Sequence, residues 1–280
     1  MPLEDDFCDI IKKARMGLGL SIRDVAQASG LPEAEISDLE RGRQPRDRSQ
    51  VQALAKALHL RPEPLEQIAI DKWDPASHIA LSGVETIHGS VGGYAVQGYI
   101  LHDRGEAVVI DTGYDAGAMV AALTERRLRL ISICLTHGHA DHAEGIDELL
   151  AHREVPVYLG QDDHALLGWQ PPQRLLSSPE DGEAIAVGRR TVRCLTTPGH
   201  TPGGICYQVD DPEQPLCFVG DTLFAGSIGR SNPSKLYQTH LASVRRRLLT
   251  LPSGVRLLPG HGPATTVGEE CEHNPFAGMQ

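Results

Sequence analysis

The sequence holds no Cys-x-x-Cys pair, no apolar stretch near the length of a membrane span, and no excess of positive charge. Each absence excludes something. Without paired cysteines a structural zinc knuckle is not expected; the six cysteines are scattered at Cys8, Cys134, Cys194, Cys206, Cys217 and Cys271. Four of them, Cys134, Cys194, Cys206 and Cys217, lie in or beside apolar strand-like runs, where a thiol acts as a small buried hydrophobe. A bilayer-spanning helix needs about 20 apolar residues in a row, so no membrane partner is expected. Lys and Arg number 26 against 37 Asp and Glu, a net charge of −11, which gives no general attraction to nucleic acid or anionic lipid. The first residues, Met1 to Asp6, are acidic and lack the basic and apolar regions of a secretory signal, which predicts a cytoplasmic location. At 280 residues the chain has room for one large domain or two unequal ones.

What is present centres on Thr136-His137-Gly138-His139-Ala140-Asp141-His142. This is His-x-His-x-Asp-His, four ligand-type side chains in six residues. The apolar run Leu130–Leu135 before it reads as a buried strand, and Ala143–His152 after it reads as a helix with Ile146, Leu149 and Leu150 on one face. A strand-to-helix turn lets several side chains converge in front of a rigid sheet edge. Imidazoles with a carboxylate suit zinc, iron or manganese.

The first 70 residues have a different texture. The pattern predicts a helix from Phe7 to Met16, ended by Gly17 and Gly19. Ser21 to Asp24 forms a capping-box start for a second, stopped at Gly30. A third runs from Glu33 to Arg41, and a fourth is capped by Ser49 with Val51, Leu54, Ala55 and Leu58 as its apolar stripe. Leu20–Ala26, Ser29–Leu31, Ile36-Ser37, Leu39–Gly42 and Leu54–Leu58 resemble the helix-turn-helix domain of phage-repressor-type regulators. In that family the third helix enters the major groove by its N-terminal end. Here that end carries Glu33 and Glu35, with Asp38 a turn on, and carboxylates repel phosphates. Residues 1–72 hold 11 basic and 13 acidic side chains, so the segment lacks the basic footprint of a DNA reader. Arg41, Arg43, Arg46 and Arg48 form one local cluster, able to touch a phosphate backbone or simply be solvated. DNA remains a possible partner with no residue assigned to it; dimerisation, a homodimer included, or partner docking is the competing role. Pro62, Pro64 and Pro75 place a boundary within residues 59–78, with one short helix over Leu65–Ile70; the expected units are 1–72 and 73–280.

From Val84 strands are expected: Tyr94–Leu101, Ala107–Ile110 before Asp111-Thr112-Gly113, a helix over Ala116–Arg127, and a strand over Val155–Leu159. Residues 170–182, rich in Pro and Ser, are expected as a loop over the site. Three further apolar strands then run into Pro198-Gly199-His200, Gly220-Asp221 and Pro259-Gly260-His261. In each, glycine permits a sharp turn and a close approach ahead of a His or Asp.

This set, over residues 80–276, resembles the metallo-β-lactamase-fold hydrolase superfamily. The resemblance implies an α/β fold, a four-layer αβ/βα sandwich, preceded here by the small all-α unit. It implies two divalent metal ions, zinc foremost with iron or manganese as alternatives. His137, His139 and His200 match the ligands of the first metal; Asp141, His142 and His261 match the second; Asp221 matches the bridging carboxylate. Asp141 and Asp221 are thereby the catalytic carboxylates, with a metal-bridging hydroxide as nucleophile. Asp111 has no metal position and is either a partner to a ligand histidine or a turn aspartate.

His200–Gly204, Gly220–Phe224, Gly229–Ser231 and Leu258–Pro263 are most similar to glyoxalase II and its shorter relatives, which implies a thioesterase acting on an acyl thioester such as a hydroxyacyl-glutathione. Arg230, Asn232, Lys235 and Tyr237 follow the bridging aspartate as candidate substrate contacts. Two departures stand out. Full-length glyoxalase II has basic glutathione contacts in a C-terminal helical region, whereas the residues after His261 include Glu269, Glu270 and Glu272 and no Lys or Arg. Glyoxalase II also lacks the helix-turn-helix. The rival readings are a persulfide dioxygenase with one iron on His137, His200 and Asp221, a lactonase, and a ligand-sensing DNA-binding regulator.

Overall fold

The computed structural model describes residues 1–76 and 81–278. Positions 77–80, where the expected linker ends and the expected hydrolase resemblance begins, and the last two residues lie outside the described residues.

Five helices open the chain: α1 (Phe7–Gly17), α2 (Ile22–Ser29), α3 (Glu33–Leu39), α4 (Arg48–Ala57) and α5 (Pro62–Glu66), the last widening into a π turn over Gln67–Asp71. Local chemistry sets their ends. Ser21 and Asp24 form the expected reciprocal capping box of α2, and Gly30 closes that helix in the left-handed conformation at φ +74°. The cap of α4 is Asp47, whose carboxylate accepts from the Gln50 N–H, not Ser49; Ser49 instead donates to that carboxylate. A carboxylate is the stronger acceptor for the orphan N–H groups of a helix start. A two-point ion pair, Arg15 with Glu40, ties α1 to the end of α3.

Two six-stranded sheets follow. The first contains β1 (Val84–Val91), β2 (Tyr94–Asp103), β3 (Glu106–Ile110), β4 (Arg129–Cys134), β5 (Val157–Tyr158) and β6 (Leu176–Ser177), side by side in that order. The second contains β7 (Ala184–Val187), β8 (Arg190–Thr196), β9 (Ile205–Asp210), β10 (Leu216–Gly220), β11 (Arg256–Pro259) and β12 (Thr265–Thr266), in the spatial order β12-β11-β10-β9-β8-β7. Both sheets are mixed: β3–β6 run parallel, as do β10 and β11, and the other pairs are antiparallel. The sheets face each other through Tyr99, Leu101, Val108 and Ile110 on one side and Val192, Cys194, Tyr207 and Phe218 on the other. The outer face of the first sheet is covered by α6 (Ala116–Glu125) and α8 (Ile146–His152). The outer face of the second is covered by α9 (Tyr237–Ser243), which runs on through Leu248, and by α10 (Val267–His273). That is the expected four-layer α/β sandwich, and Cys134, Cys194, Cys206 and Cys217 are buried in it as hydrophobes.

The N-terminal helices do not stand apart. Phe7, Ile10, Leu54 and Leu65 share one continuous buried cluster with Leu195, Cys206, Val219, Tyr237, Leu241 and Leu248 of the sandwich. The expected helix over Ala143–His152 is interrupted: a single turn, α7 (Ala140–Ala143), stops at Glu144, and α8 begins after Gly145. Gly145 has φ +84° and sits directly on Ala116, where a β-carbon would overlap. Residues 170–182 are not one loop: Leu176–Ser177 forms the edge strand of the first sheet, drawn there by main-chain pairing with β5. No helix among the described residues is long and apolar enough to cross a membrane.

Candidate metal centre

The C-terminal ends of β4 and β10, the end of β11 and the turn after β8 meet at one edge of the sandwich. There the structure brings together His137, His139, Asp141, His142, His200, Asp221 and His261. Three sets of donor atoms lie within 4.8 Å of one another: His137, His139 and His200; His137, Asp141 and His142; His142, Asp221 and His261. Asp221 stands between them. Its Oδ2 faces His200 Nε2 at 3.5 Å, while its Oδ1 faces His142 Nε2 at 3.3 Å and His261 Nε2 at 3.7 Å. Asp141 Oδ2 lies 3.3 Å from His261 Nε2 and 3.7 Å from His142 Nε2. His139 turns Nδ1 inward, 3.0 Å from His200 Nε2.

The backbone explains the convergence. Gly220 takes φ +47° so that the chain can turn between β10 and Asp221, and a β-carbon there would overlap Thr136. Gly260 lies flat against the His142 ring and the Asp221 carboxylate, where any side chain would displace both.

The outward nitrogens of four histidines are occupied. His200 Nδ1 is 2.7 Å from the Arg230 carbonyl and His261 Nδ1 is 2.6 Å from the Ala95 carbonyl. His142 Nδ1 is 2.9 Å from Asp111 Oδ2, and His137 Nδ1 is 3.1 Å from Thr136 Oγ1. Such partners fix ring orientation and leave the other nitrogen free for a cation. Asp111 is thus a partner to a clustered histidine. Its carboxylate also accepts from the Thr136 N–H and hydroxyl, both at 2.7 Å, and its backbone is held at φ +53°, a conformation rare outside glycine.

Three buried polar atoms in the cluster have no hydrogen-bond partner: His137 Nε2, His142 Nε2 and Asp221 Oδ1. Leaving such atoms unpaired costs about 1–3 kcal/mol each, so this donor set fits a bound cation better than a self-contained polar network. Electrostatics agree. Burial pushes the His200 imidazole down to about 4 and His137 well below its ordinary value, so both are neutral donors. Burial also opposes charge on His261 and His142, but Asp221, with Asp141 for the first and Asp111 for the second, outweighs it; His261 rises to about 9 and His142 well above its ordinary value. The same carboxylates that favour a positive charge on these rings would favour a metal cation in its place.

Sequence reasoning missed Asp163. This carboxylate is fully buried, and it accepts from the Gly138 N–H at 3.1 Å, the Thr201 hydroxyl at 2.6 Å and the Gly203 N–H at 2.7 Å. It clamps the loop of His137 and His139 to the loop of His200. It also missed His240, buried under Gly199 with Nε2 2.8 Å from the Thr222 carbonyl. Beside His139 and His200 opens a cleft of about 690 Å³. Of the four candidate substrate contacts, Arg230, Asn232 and Tyr237 line it; Lys235 does not, since it points to solvent from the 3-10 turn Ser234–Leu236. No residue of 170–182 lines this cleft.

The family model for the metallo-beta-lactamase superfamily matches residues 91–261, and one for a helix-turn-helix domain matches 10–68. The chain is 34% identical to the probable metallo-hydrolase YqgX of Bacillus subtilis over 203 residues, 66% of this chain and 94% of that one. It is 32% identical to the hydroxyacylglutathione hydrolase GloC of Haemophilus influenzae over 192 residues, 63% of this chain and 90% of that one. The solved structure of TTHA1623 in a di-iron-bound form superposes with a TM-score of 0.57 at 31% identity, covering 68% of this chain and 99% of that one. A fold of this kind implies a dinuclear site for divalent metal ions held by the His/Asp cluster.

Proposed function

The chain belongs to the metallo-beta-lactamase superfamily of metal-dependent hydrolases, and on that premise we propose that its substrate is an acyl thioester. The observation that carries the two-metal part of the reading is the position of Asp221, whose two oxygens face separate histidine groups within a seven-residue cluster. We assign His137, His139 and His200 to one ion, Asp141, His142 and His261 to the other, and Asp221 to both. Zinc suits the nitrogen-rich donor set; the di-iron form of a relative supports iron as the alternative. Bound there, the two cations supply Lewis acidity and an acidified water near neutral pH.

The chain's own residues do the rest. Asp221, 8% exposed, keeps its charge because His142 and His261 offset the burial that opposes it, and it orients the nucleophile. Asp141 is the solvent-facing carboxylate of the cluster and fixes His261. Arg230 and Asn232 flank the approach from the cleft as substrate contacts. Among the described residues that line the cleft beside His139 and His200, the cationic side chains are Lys12, Lys13 and Arg230, with no carboxylic acid but Asp9; a thiolate leaves without a general acid, which favours a thioester over an amide. GloC carries the name of a hydroxyacylglutathione hydrolase, which supports the same substrate class.

Thiol release from a panel of acyl thioesters, lactoylglutathione included, tests the reading when metal-loaded protein is compared with Asp221→Asn. Release by the parent and a loss of about 10²-fold or more in the variant is expected, with two metal ions per parent chain by elemental analysis. No release from any thioester overturns it.

A further inference from the structure

The helix-turn-helix unit places its first helix, not its third, against the metal centre. The cleft beside the histidines is lined by Lys12, Met16 and Gly17 of α1 together with His139, His200 and Arg230. The docking is specific. The Asp5 carboxylate accepts from Lys13 Nζ and the Ser227 hydroxyl, both at 2.5 Å, and Lys13 also donates to the Ile228 carbonyl at 3.0 Å. These bonds pin α1 to the loop whose next residues include Arg230, and the Arg230 carbonyl holds His200.

Of the three cations of α1, Lys13 pairs with Asp5 and Arg15 with Glu40, while Lys12 has no ion pair among the described residues. Arg41 and Arg43 pair with Asp38, Arg46 with Glu35 and Asp47, and Arg48 with Glu66 and Asp71. The basic cluster that could have met DNA is therefore neutralised by its own domain. In the cleft, Lys13 pairs with Asp5, while Asp9, which accepts only from the neutral Asp6 N–H and Cys8 thiol, is one acidic group of the lining without a cationic partner among the described residues. Lys12 is exposed and, like Arg230, makes no ion pair among the described residues. Lys12 and Arg230, set against the single carboxylate of Asp9, leave the lining net cationic beside the histidine cluster, which suits a negatively charged ligand.

We propose that α1 is the substrate-selecting wall of this cleft, with Lys12 binding an anionic group, carboxylate or phosphate, on the thiol half of the substrate. The inference takes the thioesterase reading for the reaction, but its binding claim stands separately. The repressor-like unit then serves catalysis by supplying a cation to the cleft.

Thioethers that cannot be hydrolysed separate the two claims. Zinc-loaded full-length protein is titrated by calorimetry with S-methylglutathione (carboxylates), S-methyl-coenzyme A (phosphates) and the neutral S-methyl-N-acetylcysteamine. At least one anionic ligand is expected to bind tenfold or more tightly than the neutral one, and which one binds identifies the anion. Lys12→Ala is expected to cut that preference about tenfold, Lys12→Glu further, and Arg41→Ala, outside the cleft, not at all. Rising salt should weaken only the anionic ligands. Equal binding of neutral and anionic ligands, no binding of either anion, or an unchanged preference in Lys12→Ala overturns the proposal. A protein that binds the anionic thioethers through Lys12 yet releases no thiol would refute the thioesterase reading alone.

Discussion

Asp163 and Thr201 are 38 residues apart in the chain and joined by a 2.6 Å hydrogen bond in a fully buried setting. The same carboxylate receives the Gly138 and Gly203 N–H groups. Asp163→Ala would leave these donors without an acceptor. At about 1–3 kcal/mol for each buried orphan, partly relieved by water, a net loss of about 3 kcal/mol is expected in urea unfolding. Because the two loops carry His137, His139 and His200, metal affinity should fall with it. An Asp163→Ala protein with parental affinity would show that the clamp is only structural.

Asp111 makes a different kind of contact. It touches His142 at 2.9 Å and nothing in the cleft. Removing the partner of a metal-binding imidazole costs roughly 10–100-fold in metal affinity. Asp111→Asn keeps the size and an acceptor for the Thr136 N–H, so the fold should survive while competition with a chelator shows the weakened site. Loss confined to one of two ions per chain would match His142 belonging to one of the pair.

The legible and illegible parts of this chain differ in sequence separation. His137, His139, Asp141 and His142 sit within six residues, and His200, Asp221 and His261 each follow an apolar strand and a glycine, so periodicity and turn chemistry marked them. The four layers followed from the same resemblance. Asp163 left no mark, because its three partners are 25, 38 and 40 residues away and an Asp-Asp pair in a short turn looks like a solvated one. The break at Gly145 depends on the close approach of Ala116. The docking of the N-terminal helices was illegible for a similar reason: an apolar stripe reads alike whether it covers its own domain or a neighbour. Lys12 and Arg230 meet at one cleft only once that docking is known.

Gly17 tests the docking. It packs flat on the ring of Tyr237, with no room for a β-carbon. In an exposed helix Gly→Ala would stabilise by up to about 1 kcal/mol. Here the methyl group must displace the ring, and overpacking costs about 1–3 kcal/mol. Gly17→Ala is therefore expected to lower the melting temperature. Since the buried cluster runs from α1 through Tyr237 to Leu248 without a gap, melting should stay a single transition. A raised melting temperature would mean that α1 does not rest on Tyr237.

Glu270 gives stability a pH dependence of its own. Its buried carboxyl accepts from the Thr265 hydroxyl, the Gly226 N–H and the Asn274 amide. Burial pushes its pKa up to about 7 from 4.5, against the opposing pull of those donors. The unfolded chain loses this proton near 4.5 while the folded chain keeps it to about 7, so the folded state binds more protons between those values. Stability must then fall as pH rises through that window and level off above it. At 1.36 kcal/mol per unit the fall is about 3 kcal/mol at most. Glu270→Gln cannot titrate and should abolish this component, although its amide would face some of the same donors and lower the plateau. Urea midpoints of parent and variant at pH 5, 6, 7 and 8 give the test: the difference between them should shrink as pH rises, because the parent loses stability that the variant never had. A difference that stays constant across the series would mean that Glu270 is ionised in the folded protein throughout, with its three donors outweighing burial.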